Sequence, residues 1–576
     1  MPDYLAPAMR LYVDQLIDWK SLLALRSGED VDVEAEVGAY GTVLETVAQL
    51  AESFEAPARE AWEAVAELTE DGGAEPPPHI RAAYEQLREN GLICMIVPEE
   101  YGGADLPLLI NTMYLEMISR ADTSLMTVVG LQGGAAGDIV AYGDDAVKQA
   151  VLPRMTSGEF QGCMDLTEPQ AGSDLGRITT RATDLPDGTV RVDGQKIFIT
   201  NGGSEVHLVL ARDDDHFEES KGTTTGLSLI VVLRHRDDGS PNGVRVTRLE
   251  SKLGIHGSPT CEVVLDGAIG VRIGEKGKGF RAMLDLMNNA RLGVAAQALG
   301  LSEAAFAEAY RYAQEREQFG QPILAQPLVR EMVAKMRVDI EAARALLYRT
   351  VEIADRNEAR RRALERGERS EAERAQLEAD LEREEIRVRL LTPLCKYFST
   401  EISTDVTRDA MQVFGGIGFT MDADVAKLHA DSLIMTVYEG TSEIQASFAL
   451  KEIGKGALSV VFDEVRAEVE AMTDGPRSEL AAIVAEGITR VEESAKVLFG
   501  DLSYALMRAK FFSEMVIDVI AGAELLRQAG ADADRLAVAE AFIRRRAIVD
   551  AALARRIEEN HEGRMARDAM LLGLDA

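Results

Sequence analysis

The sequence has few cysteines, and none of its cysteines or histidines has the spacing of a metal site. Cys94, Cys163, Cys261 and Cys395 lie far apart without a C-x-x-C pair, and the seven histidines are scattered, with no H-E-x-x-H run. Such runs place two imidazoles on one helix face. We therefore expect no metal site, no disulfide framework, and four buried thiols in a reducing compartment.

Basic residues and long apolar runs are also scarce. Lys and Arg number 62 against 97 Asp and Glu, which gives a net charge of −35, and the sequence pI is about 4.7. Phosphate backbones and anionic lipids repel such a chain, so we expect no nucleic-acid partner. No apolar run approaches about 18 residues, and the first twenty residues lack the features of a secretory signal. We expect no membrane span and a cytoplasmic location.

What the sequence does contain changes in pattern along its 576 residues, which is more than one hydrophobic core can organise. Up to residue 159 the apolar spacing is mostly helical. Between residues 160 and 275, strand-like runs at 207–211, 227–233, 244–249 and 260–265 are separated by Gly, Asp, Asn and Pro clusters. Asp193-Gly194 lies between two further runs, 188–192 and 195–200, and predicts a hairpin there. This segment is expected to form a compact antiparallel β-domain.

Helical patterns return from residue 276 to 455 and continue through an acidic extension, 456–576. Residues 353–387 alternate charges densely, which predicts a solvated helical hairpin with i,i+4 pairs, a partner-binding element being the alternative. The predicted fold class is therefore α+β and mainly helical. Its domains are an amino-terminal helical domain (1–159), a middle β-domain (160–275), a helical bundle (276–455) and the extension.

One short run, V-Y-E-G-T-S, places a single carboxylate where it could act as a base. Glu439 stands between Tyr438, which helps to exclude water, and Gly440, which lets another molecule approach the backbone. Thr441 and Ser442 can cap the helix that follows. Poor hydration suits a carboxylate that accepts protons near neutral pH. An ordinary acidic helix N-terminus, stabilised by the helix dipole, is the alternative.

Four further segments carry residues that suit a flat, phosphate-containing ligand. Residues 164–174 supply small side chains and hydroxyls for a close-fitting surface, and Phe198 could cover a flat ring. Arg316 in R-E-Q-F-G supplies a permanent cation, and Gly415-Gly416 lets backbone amides approach phosphates. Taken singly, each segment is equally well explained as a turn or a bend between helices.

Taken together and in this order, these segments resemble the acyl-CoA dehydrogenase family. The resemblance covers residues from about 90 to 455 and includes VPEEYGG, LTEPQAGSD, IFITNGG, GKGF, REQFG, QVFGGIGF and VYEGTSEIQ. It implies a middle β-barrel, FAD as cofactor and at least a homodimer, because part of each FAD site comes from a neighbouring subunit. The implied FAD-binding residues are Leu166, Thr167, Ser173, Phe198, Thr200, Arg316, Phe319, Gln412, Gly415, Gly416, Thr441 and Glu443.

The resemblance implies oxidation of an acyl-CoA to its trans-2-enoyl-CoA, with electrons passing to an electron-transfer flavoprotein. Glu439 would remove the α-proton, and its backbone N–H would help to hold the enolate oxygen. The family's other position for the base is here Ala290, ahead of Arg291, which leaves Glu439. The substrate-binding residues are predicted to be Ser173, Asn288, Arg291 and Gly440, although Arg291 as a plain helix-surface residue is an alternative.

Several features depart from the family pattern. Phe198 stands where many relatives have tryptophan, and Ala430 precedes Asp431 where an arginine is common, so local bracing must differ. The charged hairpin and about 120 extra carboxyl-terminal residues resemble a larger subgroup that includes 3-(methylthio)propanoyl-CoA dehydrogenases and bacterial long-chain enzymes. An acyl-CoA oxidase, a non-catalytic DNA-binding relative and a scaffold with a vestigial site are the alternative functions.

Overall fold

The computed structural model describes residues 4–367, 369–473, 475–559 and 563–574, without the side chains of 285–287 and 289. The chain divides into two compact units. We call them the helical unit (Met1–Thr42, Ala305–Gly418 and Met435–Ala576) and the barrel unit (Val43–Ala304 and Phe419–Ile434). The fourfold domain division given above stays a prediction.

The described elements are as follows, in chain order. The α-helices are α1 (Pro7–Leu11), α2 (Trp19–Ser27), α3 (Val33–Glu60), α4 (Pro78–Glu89), α5 (Leu108–Ala121), α6 (Thr123–Tyr142), α7 (Asp145–Thr156), α8 (Phe217–Ser220), α9 (Gly279–Glu315), α10 (Pro327–Arg366), α11 (Glu371–Phe414), α12 (Asp424–Ser432), α13 (Ser442–Gly454), α14 (Ala457–Glu470), α15 (Gly475–Leu498), α16 (Leu502–Ala531), α17 (Leu536–Glu559) and α18 (Arg564–Leu572). The strands are β1 (Glu67–Leu68), β2 (Ala74–Glu75), β3 (Gly162–Asp165), β4 (Arg181–Asp184), β5 (Val190–Thr200), β6 (Val206–Asp213), β7 (Leu227–Leu233), β8 (Val244–Leu249), β9 (Thr260–Ile273), β10 (Glu317–Gln318) and β11 (Gln321–Pro322).

The barrel unit is built around a closed sheet. Strands β6, β4, β5, β9 and β7 pair in that order, and β7 pairs back with β6, so the ring has no free edge between them. Its interior is filled by aliphatic side chains such as Val192, Val209, Ile230 and Val263, all fully buried. The predicted mainly helical α+β architecture with a middle β-barrel is confirmed. Two pairings, β3 with β6 and β4 with β6, are parallel and were not foreseen.

The hairpin predicted at Asp193-Gly194 is wrong. β5 runs without interruption from Val190 to Thr200, and these two residues form an irregularity in its pairing with β9. A Cβ on Gly194 would lie 2.7 Å from the Cβ of Thr180, so glycine is required there by close packing and not by a turn. The actual hairpin joins β4 to β5 through Asp187-Gly188, where Gly188 has φ +87°.

In the helical unit, the hairpin predicted over residues 353–387 is the tip of a longer hairpin formed by α10 and α11. The tip is not solvated on all sides, because Asn357, Ala359 and Arg387 are buried. Near its tip, Arg361 lies 2.9 Å from Glu385 across the pair and 3.4 Å from Glu358 on its own helix. These contacts are solvent-exposed and contribute little individually. In the carboxyl-terminal extension, α15, α16 and α17 pack on one another, and α16 also packs on α10 and α13. The extension therefore supports α13, the helix that begins three residues after Glu439.

The four thiols are free and buried, as predicted. Burial raises the pKa of Cys94, Cys261 and Cys395 to about 12, and that of Cys163 well above its usual value. One helix of the described part, α6, passes a length and composition test for a membrane span, with a mean hydropathy of 1.2. Because 56% of that stretch is buried within the protein and core helices pass the same test, this is weak evidence for a span.

Candidate active site

The turn that carries Glu439 has an unusual backbone. Glu439 has φ +54° and Gly440 has φ +92°, so two consecutive residues adopt left-handed conformations. A residue with a Cβ is disfavoured there, and such strain concentrates at functional sites. Thr441 then begins α13 as its N-cap, its hydroxyl accepting a hydrogen bond from Ile444 N at 3.4 Å. The predicted cap is confirmed for Thr441, whereas the Ser442 hydroxyl donates to Glu401.

Two buried side chains hold the carbonyl groups of this turn. Gln445 Nε2 donates to the carbonyl oxygens of Glu439 at 2.8 Å and Gly440 at 3.1 Å. Lys396 Nζ, reaching over from α11, donates to the Gly440 carbonyl at 2.8 Å. Both donors are fully buried. Neither residue was singled out by sequence reasoning, because Lys396 lies 43 residues before Glu439 and only the fold brings it to the turn.

In the barrel unit, the loop after β3 is fixed by a buried ion pair. Lys196 Nζ lies 3.0 Å from Glu168 Oε1 and also donates to the carbonyl oxygens of Leu166 at 3.0 Å and Leu210 at 2.7 Å. Glu168 further accepts hydrogen bonds from the backbone N–H and hydroxyl groups of Thr179 and Thr180. Burial alone would raise the pKa of Glu168, but Lys196 and these donors hold it at about 2. The segment with Leu166 and Thr167 is therefore rigidly placed.

Three predicted flavin contacts lie together beside this loop. The N–H of Ile197 donates to the Thr167 carbonyl at 2.9 Å, which sets Thr167 against the strand that carries Phe198 and Thr200. Phe198 has φ +59° at a second irregularity of β5, and the residue is 59% exposed. An exposed aromatic residue close in the chain to the half-buried Thr200, on the strand that bonds Thr167, fits a flavin ring, which needs a stacking surface and nearby hydrogen-bonding groups. Ser173 is exposed on the same loop segment.

The other predicted FAD segments belong to the helical unit. Phe319 and Gly320 form the tight turn between β10 and β11, with φ +55° and +78°, and Phe319 is 92% exposed. Gly415, at φ +67°, and Gly416 follow α11 with open space where a side chain would point. Stacking of Tyr312 on Phe414, with ring centroids 4.1 Å apart, brings these two segments together. Gln412 lies on the last turn of α11, beside the glycines, and Arg316 lies one turn beyond Tyr312.

Arg291 and Asn288 are joined on α9. Arg291 Nη1 donates to Asn288 Oδ1 at 2.8 Å. Arg291 is only 4% exposed, which rules out the alternative of a plain helix-surface arginine. Their role in substrate binding remains a prediction, as do the roles of Ser173 and Gly440.

Asp431 is braced by groups that sequence reasoning missed. Its carboxylate accepts hydrogen bonds from Trp62 Nε1 at 3.0 Å and Ile255 N at 2.6 Å, within the barrel unit. Gly254 packs so closely that a Cβ there would lie 2.6 Å from Asp431 Oδ1. Trp62 and Ile255 thus hold the Asp431 carboxylate in a chain that has Ala430 where an arginine is common. Burial raises the pKa of Asp431 to about 6 despite them.

Cys163, Asp165 and His207 form a second group that the sequence did not reveal, because they come from two paired strands. Asp165 Oδ2 lies 2.9 Å from His207 Nδ1, and the Cys163 thiol donates to Asp165 Oδ1 at 3.3 Å. His207 Nε2 lies 3.2 Å from the Ser204 carbonyl. All three side chains could ligate a metal. Each of the three side chains already has a hydrogen-bonding partner within the group or at the Ser204 carbonyl, so the contacts describe a buried hydrogen-bonded cluster.

Comparison with known families places this arrangement in context. Models of the acyl-CoA dehydrogenase N-terminal, middle and C-terminal domains match residues 42–159, 163–268 and 277–454 in turn. The chain therefore belongs to the acyl-CoA dehydrogenase family, whose members are FAD-dependent oxidoreductases acting on acyl-CoA.

Individual relatives differ in how much of this chain they cover. The chain is 31% identical over 521 residues to 3-methylmercaptopropionyl-CoA dehydrogenase of Ruegeria pomeroyi, an alignment that covers 86% of this chain and 84% of that protein. Butyryl-CoA dehydrogenase of Megasphaera elsdenii superimposes with a TM-score of 0.60 at 28% identity, over 72% of this chain and 97% of that one. An acyl-CoA dehydrogenase of Bacillus anthracis, solved with FAD, covers 98% of this chain and 94% of its own, with a TM-score of 0.75 and 24% identity, which shows the fold alone.

Proposed function

We propose that this acyl-CoA dehydrogenase converts an acyl-CoA thioester to the trans-2-enoyl-CoA and that Glu439 is its catalytic base. The observation that carries the proposal is the conformation of the turn. Glu439 is held at φ +54°, two residues before the helix cap Thr441. Its own carbonyl group and that of Gly440 are hydrogen-bonded to buried donors. An acidic residue that only stabilised a helix dipole would need none of this strain.

In this proposal the chain supplies three functions around the reacting carbon atoms. The Glu439 carboxylate accepts the proton of the α-carbon, while the β-hydrogen leaves with its electron pair. Bound FAD supplies the acceptor for that hydride. The backbone N–H of Glu439 donates to the thioester oxygen, where negative charge develops, and a preorganised donor of this kind contributes about 3 to 4 kcal/mol.

FAD would be held by both kinds of segment described above. Leu166, Thr167, Phe198 and Thr200 would contact the flavin of their own subunit, joined by Ser173. The residues near the Tyr312–Phe414 stack would contact the FAD of the partner subunit in a homodimer or larger homo-oligomer; they are Arg316, Phe319, Gln412, Gly415 and Gly416. Thr441 and Glu443 would lie beside the cofactor. These assignments follow the motif match, and the open space at Gly415 and Gly416 supports them.

The substrate is proposed to carry an apolar or thioether acyl chain. The alignment with the Ruegeria relative named for 3-methylmercaptopropionyl-CoA covers 86% of this chain, whereas three other relatives cover 63–72% of it. Residues 121–124, Ala-Asp-Thr-Ser, offer no arginine for a distal carboxylate, so a dicarboxylyl substrate is disfavoured. We further propose an electron-transfer flavoprotein as electron acceptor, from the family resemblance, and a cytoplasmic location.

Anaerobic titration tests the reaction and the substrate together. The purified holoenzyme is mixed with a panel of saturated acyl-CoAs of increasing length, with 3-(methylthio)propanoyl-CoA and with glutaryl-CoA, and the flavin absorbance is followed. We expect bleaching by at least one apolar or thioether substrate and none by glutaryl-CoA. Failure of every acyl-CoA to bleach the flavin would refute the proposed reaction. Rapid reoxidation by oxygen alone would assign the enzyme to the oxidases instead.

A further inference from the structure

The conformation of the Glu439 turn needs an external restraint. Glu439 has a Cβ and adopts φ +54°, a region that such residues seldom occupy, and Gly440 follows at φ +92°. Without restraint a solvent-facing turn of this kind would exchange among several backbone conformations, and the carboxylate would sweep with them. A catalytic group has to be held to within about half an ångström of its working position.

The restraint visible in the structure acts on carbonyl oxygens. Gln445 Nε2 bridges the carbonyl groups of Glu439 and Gly440, at 2.8 and 3.1 Å, and Lys396 Nζ binds the second of them at 2.8 Å. Gln445 lies near the start of α13, and Lys396 lies within α11, so each donor belongs to a regular helix. Both side chains are fully buried, which makes these bonds stronger than the same contacts in water.

We propose that Lys396 and Gln445 are positioning residues that set the direction of the Glu439 carboxylate; the inference rests on the proposed function of Glu439. Because a peptide unit is planar, fixing the Glu439 and Gly440 carbonyls fixes the two peptide planes on the carboxyl side of Glu439. Together with the left-handed φ, those planes determine where the Glu439 Cα–Cβ bond points. We call Lys396 and Gln445 together the clamp. The N–H that donates to the thioester oxygen belongs to the same residue as the carboxylate, so the clamp orients the base and the oxyanion donor at once.

Gly440 is needed for the same hydrogen bonds of Gln445. A Cβ at residue 440 would lie 2.8 Å from Gln445 Nε2 and 3.2 Å from Ile444 Cγ2. Any side chain there would push the amide of Gln445 away from the carbonyl groups that it bridges. The glycine is thus required by its φ and by the donor that crosses over it.

The test compares Gln445→Leu and Lys396→Met with two matched controls. The control Ser447→Ala removes a hydroxyl that bonds the Glu443 carbonyl one turn further along α13, and Lys455→Met removes an exposed lysine paired with Glu452 at the end of the same helix. FAD content and the melting temperature establish that each protein is folded and loaded. The measured quantities are the limiting rate of anaerobic flavin reduction, the Kd of the acyl-CoA, and the hydrogen–deuterium exchange of the segment 437–446.

We expect each clamp variant to lower the limiting rate at least tenfold while the Kd changes less than threefold, and the amides of residues 440 and 441 to exchange faster. The pH profile of flavin reduction should also shift, because the carboxylate moves to a different environment. The controls should stay within twofold of the wild type. Gln445→Met and Lys396→Leu replace the first pair if either fails to fold, whereas Lys396→Arg, which keeps a donor, should recover part of the rate.

Rates within twofold of the wild type in folded, FAD-loaded Gln445→Leu and Lys396→Met would overturn the positioning role. A parallel Glu439→Gln variant separates the two proposals. If Glu439→Gln abolishes flavin reduction while the clamp variants react normally, only the clamp is refuted. If Glu439→Gln reacts normally, the proposed function of Glu439 itself is wrong.

Discussion

Lys196 and Glu168 form an ion pair in which both side chains are almost completely buried, with Nζ and Oε1 3.0 Å apart. Each partner also binds backbone groups of other segments: Lys196 reaches the carbonyl groups of Leu166 and Leu210, and Glu168 reaches the backbone at Thr179 and Thr180. Because a buried ion pair is costly to desolvate, it adds little stability as an isolated pair. Its contribution is to hold together the segments that both partners bind. Here it fixes the loop that is predicted to hold the flavin.

Lys196→Met should therefore destabilise the barrel and release FAD. Removing one partner leaves an uncompensated buried carboxylate, which typically costs about 3 to 5 kcal/mol. Urea unfolding and the FAD-to-protein ratio measure the two effects. Lys221→Met, which removes an exposed lysine 3.9 Å from Glu218, should cost less than about 1 kcal/mol. A Lys196→Met protein as stable as this control would contradict the role given to the pair.

Asp431 should make stability fall as pH rises from about 4 to 6. Burial raises its folded-state pKa from 3.8 to about 6, so the folded state binds the proton more tightly than the unfolded state does. Its contribution is fully present below pH 3.8 and is lost as pH passes 6. The whole pKa difference corresponds to about 3 kcal/mol, and about 2 kcal/mol of it is lost between pH 4 and pH 6. The unfolding free energy of wild type minus that of Asp431→Asn should therefore decrease by about 2 kcal/mol as the pH rises from 4 to 6.

The matched control for Asp431 is Asp187→Asn. A hydrogen bond from Thr189 lowers the pKa of exposed Asp187. The unfolding free energy of wild type minus that of Asp187→Asn should therefore decrease as the pH falls, whereas the difference for Asp431→Asn should increase. Chemical denaturation at a series of pH values gives both differences. A flat difference for Asp431→Asn would show that the buried carboxylate titrates normally.

Gly194→Ala should destabilise the barrel although alanine has the better intrinsic preference for an ordered backbone. The added Cβ would lie 2.7 Å from Thr180 Cβ and 2.8 Å from Thr180 Cα, and β5 would have to move away from its neighbour. Overpacking of this kind costs about 1 to 3 kcal/mol. Gly134→Ala in α6, where a Cβ has open space, should be neutral or slightly stabilising. Thermal unfolding of the two variants tests this; equal melting temperatures would contradict it.

The behaviour of Gly194 illustrates which parts of the fold the sequence could predict. β7 and β8 have the bounds predicted from the sequence, 227–233 and 244–249. The apolar run of β7 and the alternating run of β8 match the positions that are buried in each strand. The Asp193-Gly194 pair carries the same local signal as Asp187-Gly188, and only the second forms a turn. Local propensity could not separate them, since the first glycine serves a tertiary contact with Thr180. The parallel pairing of β3 with β6 depends on strand order and has no local signal either.

The candidate site divides in the same way. The turn, its glycine and the Thr441 cap were predictable because each is a local feature of consecutive residues. The groups that brace these features were not. Trp62 lies 369 residues from Asp431, and Lys396 belongs to a long helix whose sequence gives no reason to select one lysine. Partners of this kind are determined by packing, which a single sequence does not specify.

The most direct test of the account is the rate of anaerobic flavin reduction by the preferred acyl-CoA in Glu439→Gln. The variant keeps the size of the side chain and removes its ability to accept a proton. Glu452→Gln, at the far end of α13, is the control. We expect Glu439→Gln to bind FAD and acyl-CoA like the wild type and to reduce its flavin about 10²- to 10⁴-fold more slowly, as expected for loss of a general base. Flavin reduction within about twofold of the wild-type rate would contradict the assignment of Glu439 as the base.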